Sequence, residues 1–122
     1  MFDAVTTMTE QVKAGKVRAI ATTGRQRSEV LPDVPTLSEA GVPGYEATIW
    51  VGLMAPKGTP KDVVDRINQA VSKIASQTDV RQQWAKQGAV PMVMSPTVFD
   101  KYIQDDVTKW AQVIRAANIK MD

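Results

Sequence analysis

Apolar residues recur at helical spacing in some stretches of the chain and alternate with smaller or polar ones in others. Val5, Met8 and Val12 lie on one helical face, which predicts a short helix over residues 4–14 with Asp3 as N-cap and Gly15 as its stop. Residues 16–23 then alternate Val17, Ala19 and Ala21 with Ile20 added and end at Gly24, the pattern of a buried strand. A proline-bearing loop leads to Thr36-Leu37-Ser38-Glu39, a capping box for a helix that Gly41 and Pro43 close within two turns. Residues 47–55 form an apolar run stopped by Pro56, read as a strand with Gly52 marking a bulge or a close backbone approach. Thr59-Pro60-Lys61-Asp62 predicts a helix start with Thr59 as cap, and Val64, Ile67, Val71 and Ile74 supply its apolar face. A further helix is expected from Thr78 to Gln87 with Gly88 as stop, then a short strand over 89–94. Ser95-Pro96 opens a last helix striped by Phe99, Ile103, Val107, Trp110 and Ile114.

Helices and strands alternating in this order predict an α/β layered fold. The three predicted strands make a thin sheet for three substantial amphipathic helices, and Met1-Phe2-Asp3 reads as the tail of a fourth strand. The stripes from Val64 to Ile74 and from Phe99 to Ile114 each carry several hundred Å² of apolar surface, as a rough figure, which a monomer seldom leaves bare. Identical chains hide such faces most cheaply by symmetric pairing. A homodimer is therefore expected, with the crossover over residues 46–55 as hinge or shared sheet.

Composition removes most chemistry. The 122 residues are 43% hydrophobic and 23% charged, the make-up of an ordinary single domain. There is no Cys and no His, which excludes disulfides, thiol nucleophiles, Ser-His-Asp triads and imidazole metal ligands. Asp105 and Asp106 are neighbours on a helix and point to different faces, so they predict no metal loop. Phosphate-cradling glycine motifs are missing. Fifteen basic against thirteen acidic residues give +2. The local basic cluster from Lys13 to Arg27 has no interleaved aromatics, so a solvated face is expected and nucleic acid is not. No apolar run has the roughly 18 residues needed to span a bilayer, and the first residues do not open a signal peptide. Of the three tryptophans, Trp84 and Trp110 are expected in the core, whereas Trp50 suits a cleft wall as well as a core. No catalytic constellation or cofactor site emerges, and an enzyme is not expected.

Several segments taken in order carry a resemblance. Gly15-Lys16-Val17-Arg18-Ala19-Ile20-Ala21 is followed by Arg27-Ser28 and by Leu31-Pro32-Asp33-Val34-Pro35-Thr36. Glu39-Ala40-Gly41, Pro43-Gly44-Tyr45-Glu46, Trp50-Val51-Gly52-Leu53 and Ala55-Pro56-Lys57-Gly58-Thr59-Pro60 come next. Gly88-Ala89, Ser95-Pro96 and Ala117-Asn118-Ile119-Lys120 complete the string. It resembles the C-terminal part of the Bug proteins, the extracytoplasmic solute-binding receptors of tripartite tricarboxylate transporters. The resemblance implies part of a type II periplasmic-binding fold, in which two α/β lobes hold a small carboxylate between them. Residues 1–46 would then belong to the second lobe, 47–55 to the crossover, and 56–122 to the first lobe. It also implies a periplasmic location and the transporter's membrane subunits as partners.

Ligands of open α/β sheets sit outside the carboxyl ends of the strands. That rule picks Phe2 and Asp3 at the end of the fourth strand whose tail opens the chain, Thr22 and Thr23 at the end of the next strand, and Trp50 on the crossover. The leading expectation is a receptor, or a truncated form of one, for a small carboxylate. The alternative is a small homo-oligomeric interaction module that binds no ligand.

Overall fold

The computed structural model describes residues 1–120, and four helices carry its regular structure: α1 (Val5–Lys13), α2 (Lys61–Ala75), α3 (Thr78–Lys86) and α4 (Pro96–Ala116). The chain divides into two compact units. One comprises residues 1–54 and 74–91, the other 55–73 and the stretch from 92 on, so the division falls inside the last turn of α2.

Local sequence decides where the helices stop. At the end of α1 the Lys16 N–H donates to the Gln11 carbonyl and the Gly15 N–H to that of Val12, with Gly15 at φ 69°. α3 ends in the same way, on Ala89 to Trp84 and Gly88 to Ala85, and α4 ends on Ile119 to Ile114 and Asn118 to Arg115. These paired bonds are the Schellman arrangement, which satisfies carbonyls that a helix end otherwise leaves open. At α4 the left-handed position falls to Asn118, at φ 51°, the non-glycine residue type that tolerates it best. Ser95 caps α4 as predicted, its hydroxyl oxygen accepting from the Val98 N–H at 3.3 Å with Pro96 in the first turn.

Other starts differ from expectation. Ala4, not Asp3, is the N-cap of α1; Asp3 Oδ1 instead accepts from the Ala4 N–H (2.7 Å) and the Thr7 hydroxyl (3.0 Å). α2 begins at Lys61, with the Pro60 carbonyl taking the first amide bonds. The Thr59 hydroxyl donates to the Pro56 carbonyl at 2.8 Å and so is not the cap. In both cases a different partner engages the side chain that the pattern assigns to capping. The short helix after Thr36 is a set of turns, because Gly41 and Pro43 leave too little length to propagate.

The largest difference concerns the strands. Residues 16–23, 47–55 and 89–94 form no ladder among the described residues; an isolated parallel bridge joins Thr22 and Thr36. A strand exists only when a neighbour accepts and donates its backbone bonds in succession, and the Ala47 N–H to Thr23 carbonyl bond joins two of these segments at one point without making a ladder among the described residues. The apolar stripes likewise find little cover. Trp84 and Trp110 are 40% and 38% exposed, against their expected place in a core. Ala75 is the buried apolar residue among those described, with Thr9 and Thr36 the buried polar ones.

Candidate functional site

The first unit is organised around Thr36. Its N–H donates to Glu39 Oε2 at 2.8 Å, and its Oγ1 accepts from the Glu39 N–H at 3.1 Å, the reciprocal box that the sequence predicts. The same Glu39 oxygen accepts from Arg27 Nε at 2.9 Å, and Arg27 also donates to the Pro32 carbonyl at 3.2 Å. The loop over residues 24–46 is thereby tied across its middle. A second ion pair, Arg25 to Glu46 at 2.7 Å, ties its ends.

Thr22 lies against this node. Its N–H donates to the Pro35 carbonyl and its carbonyl accepts from the Leu37 N–H, both at 2.8 Å, while its hydroxyl points to the Pro35 carbonyl at 3.5 Å. The Thr23 carbonyl accepts from the Ala47 N–H at 2.9 Å. Thr22 and Thr23 are thus fixed together, and Thr23 is fastened to the start of the segment that carries half-buried Trp50. Phe2 is 80% exposed and Asp3 is exposed, engaged with the first turn of α1. No contact joins that pair to the threonines among the hydrogen bonds of the described residues.

Two open concavities lie in this unit. One of about 570 Å³ is lined by Val12, Gly15, Lys16, Val17, Arg18, Ala19 and Val34. The other, of about 460 Å³, is lined by Arg18, Ala19, Ile20, Asp33, Val34 and Pro35. None of the five predicted residues lines either. Arg18 lines both, a residue that the sequence placed in a solvated basic cluster; the signal for it was its alternation with Val17 and Ala19, which puts it on one side of the segment. Its planar guanidinium can hold a carboxylate by two parallel hydrogen bonds. The described residues contain no cluster of three or more metal-ligating side chains and no helix long and apolar enough to cross a membrane.

The Arg27 guanidinium, followed by the Thr36 N–H, holds the Glu39 carboxyl below its ordinary range. A carboxylate depressed in the folded state contributes stability above its unfolded value, and loses it as pH falls through the folded one. Glu39→Gln is therefore expected to flatten the acid-side fall in melting temperature. Thermal melts of the two proteins between neutral and acid pH check this; parallel profiles would refute it.

Comparison with known proteins agrees with the resemblance. The model of the tripartite tricarboxylate transporter family receptor matches residues 1–119. Among solved structures, R. palustris Rpa4515 with adipate is 31% identical with a TM-score of 0.88, covering 96% of this chain and 39% of that one. The periplasmic binding protein BugD is 32% identical with a TM-score of 0.86, covering 94% and 39%. MatC from Rhodopseudomonas palustris with bound malate is 36% identical with a TM-score of 0.82, covering 92% and 39%. The chain spans about a third of the length of the first curated relatives it matches, at 36% and 33% identity. Its helices and connecting segments are thus part of an α/β periplasmic-binding fold, and its relatives are receptors rather than enzymes. The chain belongs to the tripartite tricarboxylate transporter receptor family, that of the Bug proteins.

Proposed function

We propose that this chain supplies part of a solute-binding receptor that captures small dicarboxylates in the periplasm and delivers them to the membrane subunits of a tripartite tricarboxylate transporter. One observation carries the reading: two proteins with TM-scores of 0.88 and 0.82 to this chain hold adipate and malate. Both ligands are short chains with a carboxylate at each end. In this proposal residues 1–46 belong to one lobe, 47–55 to the crossover and 56–122 to the other. Thr22 and Thr23 offer their hydroxyls to the ligand, Trp50 packs against its methylenes, and Phe2 and Asp3 contribute from the start of α1.

Isothermal titration with malate and adipate tests the reading on the longest natural polypeptide containing this sequence, with glucose as control. Saturable heat with either diacid and none with glucose is the expected result, accompanied by a rise in melting temperature with ligand concentration. Trp50→Ala should weaken binding at least about tenfold, given the apolar contact an indole supplies. Absence of binding to both diacids would overturn the proposal. A second reading, a homo-oligomeric module without a ligand, is favoured by the uncovered apolar residues of α2 and α4, Ile67, Val71, Val107 and Ile114 among them.

A further inference from the structure

Thr22 and Thr23 hold different neighbours on the two edges of one extended stretch. Thr22 donates to the Pro35 carbonyl and accepts from the Leu37 N–H, whereas the Thr23 carbonyl accepts from the Ala47 N–H. Successive residues of an extended chain turn their backbone groups to alternate edges. Each edge rests on few bonds, short of the ladder that makes a strand self-supporting. Just past Thr23 the chain carries two arginines, and each reaches one of the two neighbours. Arg27 Nε donates to Glu39 Oε2 at 2.9 Å, the oxygen that also receives the Thr36 N–H. Arg25 Nε donates to Glu46 Oε2 at 2.7 Å, and Glu46 directly precedes Ala47. The two pairs therefore serve the two edges separately. All of these partners lie within residues 22–47 of the first unit, so the arrangement is built from segments that this chain itself supplies.

We propose that Arg25 is a positioning residue: paired with Glu46, it holds the start of the 47–55 segment against Thr23 and so fixes Trp50 beside the solute. The proposal rests on the carboxylate reading for its ligand and on the bonds just described for its clamp. Trp50 follows Ala47 by three residues, at most about 10 Å of chain, so an Ala47 that leaves Thr23 takes the indole with it. A single backbone bond is a weak tether, because both of its groups can turn to water instead. The ion pair closes beside it a ring of a few residues, Thr23 to Arg25 on one side and Glu46 to Ala47 on the other. Little chain entropy therefore opposes the pair once the bond exists. A segment already in place binds without the cost of ordering it, whereas a loosened one binds only in the fraction of molecules that hold it correctly. Arg27 has a different task. Its bonds secure the Thr36–Glu39 box and the Pro32 carbonyl, which anchor the loop and not the segment with Trp50.

The test compares Arg25→Met with Arg27→Met in the longest natural polypeptide containing this sequence, by hydrogen exchange and by titration with malate and adipate. Without ligand, Arg25→Met should speed exchange in peptides that contain Ala47 by up to about fivefold, the ceiling for a surface ion pair. Peptides that contain Leu37 should be unchanged. Arg27→Met should do the reverse. In titrations Arg25→Met should weaken diacid binding by about two- to fivefold, whereas Arg27→Met should lower the melting temperature and leave affinity unchanged. Glu46→Gln should weaken binding less in the Arg25→Met background than in the unaltered protein, which marks the pair rather than either side chain alone. The affinity gap between the unaltered protein and Arg25→Met should narrow in about 1 M salt, where screening acts within roughly 3 Å. Unchanged exchange at Ala47 in Arg25→Met would overturn the clamp. Faster exchange with unchanged affinity would overturn its part in binding, and equal affinity losses for both arginine variants would overturn their separate roles. The expected exchange pattern in a protein that binds neither diacid would overturn the carboxylate reading and leave the clamp standing.

Discussion

Gly88→Ala is expected to destabilise the first unit by about 2–4 kcal/mol, the sum of a left-handed backbone penalty and overpacking. Gly88 ends α3 at φ 76°, and a Cβ there would stand 2.7 Å from Val5 Cγ1 and 2.9 Å from Val30 Cγ2. Both neighbours are β-branched and stiff at χ1, so neither turns aside cheaply. One position thereby seals the end of α3 against the start of α1 and the loop at Ser28 to Val30. Gly15 separates the two contributions. It has φ 69° but nothing within 4 Å of the Cβ position, so Gly15→Ala should cost only about 1 kcal/mol. Gly15→Asn should be nearly neutral, whereas Gly88→Asn should remain damaging. Urea denaturation followed by circular dichroism measures all four; equal costs at the two glycines would show that the close approach contributes nothing.

The second large effect is expected at Thr36, which is 2% exposed. Thr36→Ala removes the oxygen that receives the Glu39 N–H and leaves that donor without its cap, a loss of about 1–2 kcal/mol. Thr36→Val keeps the volume and loses the hydroxyl, so it should cost nearly as much. Thr36→Ser keeps the cap and should cost least. Combining Thr36→Ala with Glu39→Gln should give less than the sum of the single effects, because both act on one reciprocal pair. Full additivity in denaturation midpoints would mean that the two bonds do not work together.

What the sequence revealed follows the reach of each interaction. The Ser95 cap, the Thr36–Glu39 box and the helix stops at Gly15 and Gly88 each involve residues within five positions, and each was legible. Strand pairing is different in kind. Val17, Ala19 and Ala21 alternate and residues 47–55 form an apolar run, as strand residues should, yet a ladder needs a neighbour, and neither pattern can name one. Trp84 and Trp110 illustrate the same point for burial: helical spacing shows which face is apolar, not whether anything covers it. Among the candidate residues, Thr22 and Thr23 were picked because they end a segment. Their junction with Pro35, Leu37 and Ala47 was not, because it spans a loop with no local signature. Asp3 was read as a cap when the backbone one residue later claimed that role.

The helix ends have a consequence in time. The bonds that close α1, α3 and α4 join residues at most five apart, so these helices can form within about 0.1–1 μs of becoming free to do so. Contacts on Val107 and Trp110 from residues far along the chain form on the slower timescale of chain search. In refolding, the apolar face of α4 is therefore present before such contacts. That interval, rather than the finished fold, is when a chaperone or an aggregating neighbour meets this protein.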